Sequence, residues 1–369
     1  MRSLRGRPKR WQKAAALGAL VVCLGVPFRT IASLVRQQGP QAPPPNQPEP
    51  PAAPTGKPQA PVPAQTGPSA SISIESNLVN VDVVVTDQEG NVVGGLKREN
   101  FRVTDNGAPQ QVTNFSPAES PITMVMLVEY SSEAYGYFGY KGADWARYFL
   151  EQMKPTDWLA LKTFDLRTTL QVDFTHNAAE VDQALATLGF PTFHEAVLFD
   201  ALFQTLDELR GVKGKKSILL MTTGFDTISH HRLDETYNLL KETDVTIFAV
   251  GTGEEIDLYS DGNIGYLQAK NQLTHFAEMT GGHAWFPRLS GELPDVFAAI
   301  SAFLRNQYTV GFQPNTPADG HYHKLQVTIV DADGNPMLLN DKKGKKHKVV
   351  VYARPGYTAP KPGDIAPGN

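Results

Sequence analysis

The sequence predicts an α/β fold: a mainly parallel sheet with helices on both faces, flanked by N- and C-terminal β segments. Three observations carry this. Short apolar runs such as Met124-Val125-Met126-Leu127-Val128 and Ser217-Ile218-Leu219-Leu220-Met221 lack polar alternation, which is how strands buried on both faces read. Stretches with helical periodicity separate such runs, in the order that builds βαβ units. Before and after this body lie alternating, β-branched segments punctuated by turn residues.

In chain order, residues 78–85 read as a strand rich in β-branched side chains, and Asp87-Gln88-Glu89-Gly90-Asn91 as a turn. Residues 101–103, 105–107 and 112–115 form a further hairpin. Strands are then expected at 124–128, 158–164, 217–221, 245–250 and 283–286. Helices are expected at 145–153, 181–188, 197–209, 233–242, 267–279 and 293–304, the fifth ended by Gly281-Gly282. The β pattern returns at 308–312, 324–330 and 348–352. The turn Asp331-Ala332-Asp333-Gly334-Asn335 echoes 87–91, through an internal repeat or through shared turn chemistry.

Composition bounds the function. Of 369 residues, 41% are hydrophobic, enough for a core. Nine of the 34 Lys and Arg but only one of the 38 Asp and Glu fall in residues 1–70, so the rest of the chain is strongly acidic. An acidic body argues against a nucleic-acid partner, which would need clustered cations. The single cysteine, Cys23, sits in an N-terminal apolar run, which leaves the body without disulfides or cysteine chemistry.

Residues 1–35 combine six early cations, Arg2 to Lys13, with the apolar run 14–28, the pattern of a signal peptide or of an N-terminal membrane anchor. Either engages the membrane and exports the body to the periplasm or cell surface, anchored or secreted. Residues 36–70 hold twelve prolines between Pro40 and Pro68 and read as a disordered linker. The remaining boundaries are 71–118 for an N-terminal β region, 119–306 for the α/β domain, 307–360 for a C-terminal β region and 361–369 for a disordered tail.

Several landmarks share one order with a known family. They are Val81 to Asp87, Gly95-Leu96, Asn100-Phe101, Asp105-Asn106-Gly107, Leu159 to Phe164, Leu198 to Leu202, Ile218 to Asp226, Thr280 to Ala284, Gln307 to Phe312 and Ala353 to Tyr357. The chain resembles the von Willebrand factor type A (VWFA)-related proteins of acidobacteria, which implies a Rossmann-like fold and a metal-ion-dependent adhesion site. That site uses Asp-x-Ser-x-Ser after the first strand, a Thr on a second loop and an Asp on a third.

The sequence departs from that pattern. It reads Glu129-Tyr130-Ser131-Ser132-Glu133, then Glu195-Ala196 where the Thr belongs, then Thr222-Thr223 where Thr223 stands for the Asp. The resemblance therefore implies a degenerate site of Glu129, Ser131, Glu133, Glu195 and Thr223. It leaves open Mg²⁺, a remodelled carboxylate site for Ca²⁺, or a polar cluster that holds no ion. No other cofactor is indicated.

Next to this motif, Tyr135, Tyr137, Phe138 and Tyr140 lie in a glycine-rich loop suited to contact with a partner, or to packing over the domain top. His230-His231 and His321-x-His323 read as surface histidines, and residues 342–348 as a basic solvated hairpin. No nucleophile elbow, phosphate loop, dinucleotide fingerprint or zinc helix occurs. The expectation is a non-enzymatic binding or adhesion protein for a protein or surface-polymer ligand. The alternative is a metal-independent scaffold subunit of a cell-envelope complex. A deep pocket with perturbed acidic groups would instead argue for an enzyme.

Overall fold

The computed structural model describes residues 78–116, 121–134, 142–252 and 264–361. The segment expected to direct export, the proline-rich stretch, the aromatic loop holding Tyr135, Tyr137, Phe138 and Tyr140, and the tail from 362 lie outside the described residues.

Four strands come first: β1 (Val79–Thr86), β2 (Phe101–Asp105), β3 (Ala108–Gln110) and β4 (Val112–Ser116). The α/β body runs β5 (Ile122–Glu129), α1 (Gly142–Leu150), β6 (Trp158–Phe164), β7 (Thr168–Thr175), α2 (Ala178–Thr187), α3 (Leu198–Leu209) and β8 (Lys215–Thr222). It continues through α4 (Leu233–Glu242), β9 (Thr246–Gly251), α5 (Ile264–Met279), β10 (Ala284–Trp285) and α6 (Leu293–Arg305). The last strands are β11 (Tyr308–Phe312), β12 (Tyr322–Ile329), β13 (Leu338–Asn340), β14 (Lys346–Lys348), β15 (Val350–Ala353) and β16 (Gly356–Thr358).

The central sheet has the order β10-β9-β8-β5-β6-β7, parallel throughout except for β7, which runs antiparallel to β6 at one edge. Successive strand residues point to opposite faces, and this splits the apolar runs between two cores. Val125, Leu127, Ile218 and Leu220 pack with Leu202 of α3, Leu240 of α4 and Phe276 of α5. Met124, Met126, Leu219 and Met221 pack with Phe149 of α1, Val181 of α2 and Phe297 of α6. Each such side chain contributes roughly 1.5–3 kcal/mol by leaving water, so the unbroken apolar runs are a direct consequence of a sheet covered on both sides.

Helix α5 ends as its glycines predict. Gly281 has φ +80, and the N–H of Gly282 donates back to the carbonyl of Ala277 at 2.9 Å. A Cβ on Gly282 would stand 1.9 Å from the carbonyl oxygen of Ile247, so the helix end and β9 approach too closely for any side chain.

The two β regions form one structure. β1 lies between β15 and β11 in a sheet of order β15-β1-β11-β4, and β2 lies between β12 and β3 in a sheet of order β16-β12-β2-β3. Val81, Val83, Phe101, Val310, Phe312 and Leu325 fill the shared core. Val84, on the opposite side of β1, belongs to the α/β core, and Tyr352 packs its ring against Phe303 of α6 at 5.1 Å. The sandwich is thus fastened to the body by apolar contact.

The echoing turns have the same chemistry. Asp87 Oδ1 accepts the N–H groups of Glu89 and Asn91 at 2.8 and 2.9 Å; Asp331 Oδ1 accepts those of Asp333 and Asn335 at 3.0 and 2.9 Å. Asp341 does the same for Lys343 and Lys345 at 2.8 and 2.9 Å, in the two-stranded β13–β14 hairpin. A third copy in a different setting favours turn chemistry over a repeat.

Some expectations need correction. The edge strand β7 was not expected: its residues are mostly half-exposed or exposed and its alternation is blurred by threonines. The strand expected at 283–286 shortens to β10. His323 is not at the surface: it is 1% exposed, with Nδ1 2.9 Å from Asp105 and Nε2 3.2 Å from Asp319. Alternation on β12 turns His323 inward, where a buried carboxylate gives its ring a partner.

Candidate functional site

From β5 the chain passes to one side of the sheet, to β6, and returns to β8 on the other side. The C-terminal ends of β5 and β8 therefore flank the topological switch point, where open α/β sheets take ligands. Glu129 ends β5 and Thr222 ends β8.

Glu129 is 2% exposed, and both its carboxyl oxygens are occupied by the protein itself. Oε1 accepts the hydroxyl of Ser131 at 2.5 Å. Oε2 accepts the hydroxyl of Thr222 at 2.6 Å, the N–H of Thr223 at 2.8 Å and the hydroxyl of Thr223 at 2.9 Å. Each hydroxyl in turn accepts a backbone N–H: Ser131 from Ala134 at 3.2 Å, Thr222 from Gly224 at 3.0 Å, Thr223 from Phe225 at 3.3 Å. The result is a closed network that pins the loops after β5 and β8 to each other.

The structure brings Glu129, Ser131 and Thr223 together and leaves Glu133 and Glu195 apart. Glu133 is exposed and faces His194 at 3.5 Å; the ring of His194 also meets the Ser132 hydroxyl at 2.6 Å. Glu195 is exposed. Ala196 is buried, and its backbone is held by Thr227, which accepts its N–H at 2.8 Å and donates to its carbonyl at 3.1 Å. Thr222 was missed in the sequence; the Thr-Thr-Gly run was the available signal.

Asp226, the remaining acid of the third loop, is used as a helix cap. It accepts the N–H of Phe199 in the first turn of α3 at 3.1 Å and the Ser229 hydroxyl at 2.5 Å. Asp200, one residue on, accepts the N–H groups of His230 and His231, both at 3.0 Å, and their ring Nδ1 atoms at 2.9 and 2.7 Å. Burial works to raise the Asp200 carboxyl, but these donors outweigh it and hold it well below the usual carboxylate range.

The donor set does not fit a divalent cation. Mg²⁺ and Ca²⁺ need several oxygens with lone pairs turned inward. Here the one buried carboxylate, Glu129, has its oxygens engaged by four donors, each hydroxyl oxygen already accepts a backbone N–H, and Glu133 and Glu195 are exposed. Among the described residues, no group of three or more His, Cys, Asp or Glu could hold a metal ion.

The rim is apolar. Phe190 is 84% exposed and Phe193 41%, on the loop before α3. That loop is anchored to the switch point, because the Phe193 carbonyl accepts the Ser132 N–H at 2.8 Å. Leu166 and Ile228 are also exposed on neighbouring loops.

No protein-family model matches the chain, and no curated protein matches its sequence. Solved structures do show likenesses. Proximal thread matrix protein 1 from the mussel byssus is 14% identical at a TM-score of 0.43, over 55% of this chain and 51% of that one. This chain therefore spans about half the length of the byssus protein. A von Willebrand factor type A protein from Catenulispora acidiphila is 10% identical at a TM-score of 0.40, over 79% and 76%. Manganese-loaded Plasmodium vivax TRAP protein is 14% identical at a TM-score of 0.39, over 65% and 95%. The strand order, the single antiparallel edge strand and the helices on both faces give this chain a Rossmann-like α/β fold.

Proposed function

We propose that this is an exported, non-enzymatic binding protein that engages a protein or surface-polymer partner through the loops at the switch point, without a metal ion. The observation that carries the reading is the saturation of Glu129. A carboxyl group that already accepts four hydrogen bonds supports a fixed, pre-formed surface rather than an open coordination shell. The exposed rings of Phe190 and Phe193 supply what such a surface needs, rigid apolar area beside polar groups. The adjacent aromatic loop 135–140 extends the same proposal.

Metal independence favours the scaffold form of this reading, in which the domain docks a constant partner in the cell envelope. Reversible adhesion is the other form. Membrane engagement by residues 1–35, and kinship with the acidobacterial proteins of this fold, belong to the proposal and rest on the sequence. No helix among the described residues is long and apolar enough to cross a membrane.

The test is photo-crosslinking in the producing cell, with the probe residue at Phe190 or Phe193 and controls on the exposed face of α4. The reading expects one discrete adduct from the two loop positions, unchanged by EDTA. Adducts lost in EDTA, or formed equally from the control positions, would contradict it.

A further inference from the structure

At the opposite end of the central sheet, the N-terminal ends of the parallel strands face β1, β4 and β11 of the sandwich across a cleft of about 1160 Å³. Lys215 and Lys216 open β8 inside it and are 5% and 3% exposed; Arg354 enters from the sandwich side at 9% exposed. β8 spans eight residues from this cleft to the switch point, so the two places lie on the order of 20 Å apart. The volume is enough to enclose a small ligand.

The cleft is basic although the body of the chain is acidic. Its described lining holds five cations, Arg210, Lys213, Lys215, Lys216 and Arg354, against two carboxylates, Asp82 and Asp244. Lys216 pairs with Asp244 at 2.7 Å, and Arg210 with Asp207 of α3 at 3.6 Å. Arg354 donates to the carbonyls of Gly356 and Lys241 at 2.7 and 3.0 Å, which orients the guanidinium without neutralising it. Even with Asp207 counted, cations remain in excess. A nearly buried guanidinium ordinarily has an anion beside it; Asp244 and Asp82 act on Arg354, but they are shared with Lys216 and Lys215.

Other lining groups narrow the ligand. Trp158, 43% exposed with its ring set against His176 at 3.7 Å, lines the cleft beside the partly buried Phe174, and Asn80 and Asn114 offer amides from β1 and β4. Gly214, at φ +92, turns the loop 210–214 so that Lys213 stands exposed at the rim. A partly exposed indole, amides and fixed cations together suit a polyhydroxyl body that carries a negative charge. We infer that this cleft is a second binding site, and that it takes an acidic sugar: a carbohydrate unit bearing a carboxylate or a phosphate.

Burial pushes the Asp82 carboxyl up and the Lys215 ammonium down, as befits charges deprived of water. This is a deep pocket with a perturbed acid, the feature that would argue for catalysis. Yet Asp82 accepts the Thr309 hydroxyl at 2.6 Å and Asp244 is tied to Lys216, so the two acids act as fixed walls.

Calorimetry on the full chain tests this with four probes: glucuronate, glucose 6-phosphate, glucose and inorganic phosphate. One or both acidic sugars bind, with a Kd about tenfold or more below those of glucose and inorganic phosphate; which of the two wins identifies the anion. Binding weakens as salt is raised. Lys213→Glu raises the Kd about tenfold with the melting temperature unchanged, because this rim side chain is exposed. Arg210→Glu checks the same point from the neighbouring position. The inference is overturned if neither acidic sugar binds up to about 10 mM, if inorganic phosphate alone binds as tightly, if Lys213→Glu has no effect, or if NMR shows the sugar consumed. Crosslinks at Phe190 and Phe193 stay unchanged in Lys213→Glu, so failure here is separable from failure at the switch point.

Discussion

Thr223 donates twice to one oxygen of Glu129, through its N–H at 2.8 Å and its hydroxyl at 2.9 Å. The position that the resemblance assigns to an acidic ligand is therefore a donor, and the position assigned to Asp is the acceptor it serves. Two substitutions that would each weaken a cation site complement one another as a hydrogen-bonded pair.

The first prediction concerns this pair. Glu129→Ala leaves three hydroxyls and one N–H without their acceptor in a buried place. Each unsatisfied buried donor costs about 1–3 kcal/mol, less whatever water or rotation recovers. We expect a loss of about 3 kcal/mol in urea unfolding. Glu129→Gln, which keeps only one acceptor oxygen, falls between the two. A change below about 0.5 kcal/mol for both, the range of ordinary surface substitutions, would mean that the network does not hold the loops.

A second prediction concerns Asp157, at the start of β6. It accepts the N–H groups of Ile122 and Lys154 at 3.1 and 2.8 Å and the Arg305 guanidinium at 2.5 Å, and so ties β5, β6 and the end of α6 together. Burial raises its carboxyl, but Arg305 and the backbone donors prevail and hold it below the usual range. A carboxyl lowered in the folded state adds stability that is present above its ordinary range, near pH 4, and lost as pH falls through its folded value. Asp157→Asn should cost about 3–5 kcal/mol at pH 7, because it strands Arg305, and should flatten the acid limb of stability measured down to pH 2.5. An acid limb identical to that of the native chain would contradict this.

The interleaved sandwich makes a third prediction. Phe312, fully buried on β11, pairs with Val79, and Tyr308 pairs with Val83. Phe312→Ala should cost about 3–5 kcal/mol. It should also speed amide exchange on the N-terminal strand β1, some 230 residues away in sequence. Faster exchange confined to β11 and β4 would mean that the two regions fold separately.

The α/β body was legible because its strands are buried on both faces: Met124 to Val128 and Ile218 to Met221 run without a polar residue, are too short for buried helices and alternate with amphipathic helices. Edge strand β7 was not, since an edge needs little apolar surface and Thr168–Thr175 carries little. Each flank was readable as strands, but not the pairing of Val83 with Ala353, because partners so distant leave no local mark. At the site, the departures at Glu129, Glu133 and Thr223 could be read directly. That Glu129 turns both oxygens inward could not, since it depends on rotamers on two strands that meet only in the folded sheet. The basic cleft had one trace, the run from Arg210 to Lys216, whose cations converge only when the sandwich closes over them.

The proposed function rests on a switch point that is closed on itself and works without a metal ion. The most direct measurement is the melting temperature of the full chain in EDTA and then in excess Mg²⁺, Ca²⁺ or Mn²⁺. A cation that binds only the folded state must raise the apparent stability, by about 2.7 kcal/mol at a hundredfold excess over its Kd. The account predicts the same melting temperature in all four conditions. An upward shift with one cation, abolished by Glu129→Ala at matched starting stability, would contradict it.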